Sequence, residues 1–110
     1  MCVGACKTLA VALWLATALA LAGCERGDPS RVSARVVTCE VCHGGRGFQT
    51  LPMSPPLAGQ DRAYMAKQLR AYKDGSRFDT VMSPLAAALT DQEIEDMSAH
   101  FASLDPCEPD

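Results

Sequence analysis

Cys39-Glu40-Val41-Cys42-His43 is the stretch on which the reading of this 110-residue chain turns. Two cysteines three positions apart, with histidine directly after the second, form the attachment pattern of a c-type haem. The spacing follows from the chemistry. On a helix, Cys39 and Cys42 share a face as i and i+3, so two thiols reach two vinyl groups of one porphyrin. His43 lies four residues beyond Cys39 on that face, where its imidazole serves as the proximal iron ligand. Two other readings use the same cysteines. A thioredoxin-like dithiol expects a βαβ pattern around the pair, and none is visible. A zinc site needs two further ligands, and only His100 and Cys107 remain, both isolated near the end of the chain.

Outward toward the N-terminus, Lys7 precedes 14 uncharged residues from Leu9 to Ala22. That length suits the apolar core of a signal peptide and is short for a membrane-spanning helix. The run ends in Leu21-Ala22-Gly23-Cys24, which resembles the lipobox of bacterial lipoproteins. Cys24 is therefore expected to become residue 1 of the mature protein and to carry lipid; the alternative is ordinary secretory cleavage near Ala22 or Gly23. Residues 1–23 are assigned to the signal peptide, 24–30 to the lipidated cysteine and a short polar tether, 31–104 to one folded domain and 105–110 to an acidic tail. Export and haem attachment agree, because covalent haem c is assembled on the outer face of bacterial cytoplasmic membranes. Several acyl chains on one cysteine hold a small protein far more firmly than one chain does.

The whole chain has a formal charge of −3, and removing Lys7 with the signal leaves −4. That balance argues against nucleic acid as a partner. A mature chain this short makes one small domain, and such domains usually depend on a staple or cofactor to complete the core. No paired carboxylates and no nucleophile with an adjacent base stand out, so an enzyme is not expected.

Asp28-Pro29-Ser30 offers a stop and an N-cap for a first helix, with Val32, Val36 and Cys39 as its apolar stripe. The β-branched Val36, Val37, Thr38 and Val41 pull the other way, toward strand. Gly44, Gly45 and Gly47 end that helix. An irregular stretch punctuated by Pro52, Pro55 and Pro56 follows. Residues 61–73 form the clearest helix, with Asp61 as N-cap, Met65, Leu69 and Tyr72 on one face, and Asp74-Gly75 as the stop. Residues 76–89 lack a clean period and hold Met82. Thr90-Asp91-Gln92-Glu93 makes a capping box for a last helix carrying Ile94, Met97, Phe101 and Leu104. The acidic run around Glu93 to Asp96 reads as charge complementing that helix's dipole.

Four stretches taken together resemble the small class I c-type cytochromes of bacteria, similar to the repeats of di-haem cytochromes. They are Cys39 to Gly44, Pro55 to Gln60, Tyr64 to Tyr72 with Gly75-Ser76-Arg77, and Met82 followed by Leu89-Thr90-Asp91 and the last helix. The resemblance implies an all-α fold of three to five helices around one covalent haem, with the N- and C-terminal helices crossing. It implies His/Met ligation, the Pro55 carbonyl accepting from His43 Nδ1, and Leu57 packing on the haem face. His100 departs from the family, which often has tyrosine there.

For the distal ligand the residues offer Met53, Met65, Met82, Met97 and His100. Met65 and Met97 fall on apolar helical stripes, where methionine is more often core filling. Met53, ten residues past His43, has roughly 33 Å of extended chain with which to reach round, but the family keeps that loop on the proximal side. Met82, in a segment read as irregular, is the expected ligand. A filled sixth position suits electron transfer: one electron passes through an exposed haem edge to redox proteins such as respiratory complexes, with no small-molecule substrate. The expectation is a membrane-tethered carrier on the periplasmic side of a bacterial membrane. The alternatives are a fixed haem subunit of a larger dehydrogenase or oxidase, or a haem sensor or peroxidase. Cys107 reads as an exposed tail thiol, with an interchain disulfide as the alternative.

Overall fold

A computed structural model describes residues 27–32 and 34–108. The expected signal peptide and Cys24 lie outside the described residues. Four α-helices carry the fold: α1 (Val36–His43), α2 (Arg62–Asp74), α3 (Met82–Ala87) and α4 (Asp91–Ser103), preceded by a 3₁₀ turn at Pro29–Arg31. No strand occurs among the described residues, and the fold is all-α, as the sequence leads one to expect.

Local chemistry sets most of the boundaries. Asp61 Oδ1 accepts from the Tyr64 backbone N–H at 2.7 Å and starts α2, which ends at Gly75 in the left-handed region (φ 82°). The Thr90 hydroxyl and the Glu93 carboxylate exchange hydrogen bonds with each other's backbone N–H, closing the capping box of α4. Glycine is required at position 44, where φ is 87° and a Cβ would overlap the Phe48 carbonyl.

Two elements differ from the sequence expectation. The Asp28-Pro29-Ser30 signal opens only a short 3₁₀ turn, capped by Asp28 through the Ser30 N–H, and α1 starts five residues later at Val36. Residues 76–89 are not wholly irregular. Asp79 Oδ1 accepts from the N–H groups of Val81 and Met82, both at 2.8 Å, and the Asp79 N–H donates to Ser83 Oγ. This local lock turns the chain into α3, whose first residue is Met82.

α2 packs against α3 and α4, and the 3₁₀ turn packs on α4. The apolar core is small: Ala66, Leu89, Ile94 and Met97, with Cys39 and Leu69 against it. α1 meets α4 through Cys39, whose Sγ lies 4.0 Å from Met97 Sδ. Polar ties complete the frame. Arg35 binds the Ala88 carbonyl at 2.8 Å and Glu93 at 3.2 Å, fixing the start of α1 to the α3–α4 corner. Lys73 bridges the Leu89 carbonyl and Asp91.

Candidate functional site

One side of this frame opens into a cavity of about 700 Å³, a volume usual for a cofactor site. Its buried floor comes from Met97, Ser98 and Phe101 of α4, Met65 of α2, and Ala86 and Leu89 around α3. Its rim is exposed and apolar: Met53 is 93% accessible, Val81 54% and Leu51 47%.

α1 delivers the attachment residues. Cys39, Cys42 and His43 all line the cavity, and neither cysteine is in a disulfide. Thr50 Oγ1 lies within hydrogen-bonding distance of the Val41 and Cys42 carbonyls, and the Thr50 and Leu51 N–H groups also donate to Cys42 O, so the last turn of α1 has partners for its free carbonyls. Burial pushes the Cys39 thiol above its ordinary pKa, and the charge of Glu40 adds to the shift.

His43 is buried, and its Nδ1 is 2.7 Å from the Pro55 carbonyl oxygen. A carbonyl only accepts, so Nδ1 carries the proton and donates. In the neutral ring Nε2 then holds the free lone pair. The loop bearing Pro55 is itself held, because the N–H groups of Leu57 and Ala58 donate to the Gly47 carbonyl at 2.7 and 3.2 Å. Gly59 N–H donates to Phe101 O at 2.9 Å, tying the loop to α4. Leu57 lines the cavity beside Pro55.

Of the residues weighed as distal ligand, Met53, Met65, Met82 and Met97 line the cavity. Met65 and Met97 are buried in the frame, whereas Met53 stands on the rim. Met82 is half-buried, with its backbone fixed by Asp79. His100 does not line the cavity: its ring lies edge-on to Phe101, centroids 5.1 Å apart. Cys107 is exposed, and among the described residues no group of three His, Cys, Asp or Glu side chains could hold a metal ion, which leaves zinc unsupported.

Asp79 and Ser83 were not singled out from sequence: the N-cap position of α3 is Val81, and Asp79 acts from two residues before it. Arg77 is neither free nor turned to the cavity centre alone: its guanidinium stacks over Tyr72, 4.6 Å from the ring centroid, and binds Gln68.

Two free cysteines, one histidine with a single available nitrogen and an apolar cavity describe a covalent porphyrin site. The cytochrome c family profile matches residues 33–105, and the chain belongs to that family. It is 38% identical to cytochrome c4 of Pseudomonas aeruginosa over 86% of this chain and 47% of that protein. It is 35% identical to cytochrome c-554(548) of Halomonas halodenitrificans over 70% of this chain and 96% of that protein. The crystal structure of reduced recombinant cytochrome c4 from Pseudomonas stutzeri superimposes with a TM-score of 0.58 at 38% identity, covering 61% of this chain and 38% of that one. The chain thus spans about half the length of the cytochrome c4 relatives it matches, and nearly all of cytochrome c-554(548).

Membership of the family implies covalent haem c. The residues fit it: the cavity is apolar and of suitable volume, it holds both thiols and His43, and the protein's own core is too small to fill the space.

Proposed function

We propose that the chain is a mono-haem electron carrier, held at the periplasmic surface of a bacterial membrane by lipid on Cys24. Its folded domain is residues 31–104, with 105–110 as a tail. Cys39 and Cys42 would form the thioether links, and His43 Nε2 and Met82 Sδ would hold the iron. Bound haem c would supply one-electron chemistry between Fe(III) and Fe(II).

The observation that carries this reading is the 2.7 Å contact of His43 Nδ1 with Pro55 O. It fixes the tautomer, leaves one nitrogen for iron and makes that nitrogen a better donor. Leu57 shields the face on that side. Met82 sulfur as the second protein ligand would favour the reduced state relative to a second imidazole and would leave no room for oxygen or peroxide to bind. Both effects suit outer-sphere transfer through the exposed rim to a redox protein, and such encounters use small interfaces.

The deciding experiment is spectroscopy of the Met82→Ala holoprotein. The far-red sulfur-to-iron charge-transfer band of the oxidised form should be lost, and its persistence would remove Met82 from the assignment. Intact mass of the detergent-extracted protein, with a pyridine haemochrome, reports one haem, two thioethers and the acyl groups on Cys24 together.

A further inference from the structure

Residues 27–31, which begin three positions beyond Cys24, are docked on α4. Gly27 lies so close to α4 that a Cβ would overlap the Glu95 carbonyl. The Asp28 N–H donates to Asp96 Oδ1 at 2.7 Å, and Gln92 Nε2 donates to the same oxygen at 2.9 Å. Asp96 is buried, so the bond is partly shielded from water. Residues 27–31, expected from sequence to belong mostly to a tether, instead form a strap across α4.

Helical geometry places this strap relative to the cavity. At 100° per residue, Gln92 and Asp96 share one face of α4, while Ile94, Met97, Ser98 and Phe101 occupy the other. Met97, Ser98 and Phe101 are the buried floor of the cavity. The order through the molecule is therefore strap, α4, cavity, rim. The body of α4 therefore stands between the strap and the cavity.

We propose that the strap makes Cys24 an orienting anchor: the haem cavity opens away from the membrane, toward partners in the aqueous phase. This rests on the lipid at Cys24. From Cys24 to Gly27 is three residues, no more than about 11 Å of extended chain, so the anchor is confined to the α4 side of the molecule. Charge does not set the orientation, because on that side Arg31 is paired with Asp28, and Arg62 and Arg70 are paired with Glu95. The short covalent path does. The partner that fits is a water-soluble redox protein, or the water-exposed domain of a larger one, and not a surface lying in the plane of the bilayer.

The test uses the full-length holoprotein in phosphatidylcholine vesicles, reduced so that the iron is diamagnetic, with Cys107→Ser removing the tail thiol. Spin labels are placed at Ser30→Cys on the strap side and at Met53→Cys or Val81→Cys on the open side. Relaxation by a lipid-tethered nickel chelate is compared with relaxation by a soluble one. Labels at 53 and 81 should be relaxed several-fold less than the label at 30 by the tethered nickel, and at least as strongly by the soluble one. Equal relaxation of all three by the tethered nickel overturns the orientation. Intact mass separates the two levels. Lipid on Cys24 with equal relaxation removes the orientation alone, and Cys24 without lipid removes the anchor and the orientation with it.

Discussion

Glu95 shows how one residue can be legible in type and illegible in role. In the sequence it belongs to an acidic run at the start of a helix, where dipole complementation is the simplest reading. The structure gives that role only to Asp91 and Glu93, in the first turn of α4. Glu95 is buried, and its carboxylate sits between Arg62 at 3.1 Å and Arg70 at 2.5 Å, locking α4 to α2. Nothing in the spacing of residues 62, 70 and 95 announces this, because only the packing of two helices brings them together. Glu95→Ala should destabilise the holoprotein by about 2 kcal/mol. That is below the loss of about 3–5 kcal/mol for breaking a fully buried pair, since both arginines are more than a third exposed. Urea unfolding at pH 7 measures it, and an unchanged midpoint would reduce the clamp to a surface contact. His43 is the opposite case. Its neighbours in sequence suffice to name it, and the family resemblance supplied its Pro55 partner, which the fold places at hydrogen-bonding distance.

At the scale of elements, the helices written in local chemistry were legible and the ones written in turns were not. The Asp61 cap, the Gly75 stop and the Thr90–Glu93 box each depend on residues within four positions, and α2 and α4 start where those signals fall. Thr90→Ala should accordingly cost about 1 kcal/mol, read as a lower urea midpoint. α3 was missed because it is six residues long and has no apolar period of its own; its start is fixed by Asp79. That carboxyl is held below its ordinary pKa of 3.8, first by the Met82 N–H and then by the Val81 N–H. A lowered native pKa means that the unfolded chain binds the proton more readily as pH falls. The stabilisation from Asp79 is thus complete above the unfolded value, near pH 4, and is lost as pH drops through the native one. The stability difference between native protein and Asp79→Ala should therefore be largest at neutral pH and shrink below pH 4. With Met82 ligated as proposed, added imidazole should displace its sulfur at lower concentration in the same variant, seen as earlier loss of the far-red band. Equal imidazole titrations of the two proteins would show that the lock does not hold the ligand.

The whole molecule is short of apolar interior. Among the described residues only eight hydrophobic side chains are buried, and three of those are alanine. Against them stand Val37, Val41, Leu51, Met53, Phe78 and Val81, all large and all exposed. Conformational entropy costs roughly 1–2 kcal/mol for each residue fixed, and a core of this size offsets little of it. The four helices also surround the cavity, and Cys39, Met65, Leu69, Leu89, Met97 and Phe101 all border it. A group covalently held there adds the missing contacts to every one of those walls at once. The need for a cofactor was visible in the chain length and the Cys39–His43 motif, whereas the thinness of the core appears only when burial is seen. The haem-free chain, made as Cys39→Ser/Cys42→Ser, should then be largely unfolded at 25 °C, with most of the far-ultraviolet helical dichroism of the holoprotein gone and no cooperative thermal transition. Near-native dichroism and a sharp transition in that variant would mean that α2, α3 and α4 fold on their own contacts and that the cavity is preformed. Partial helicity confined to α2 and α4, with broad melting, would agree with the clamp at Glu95 acting in a frame that still requires the bound group to close.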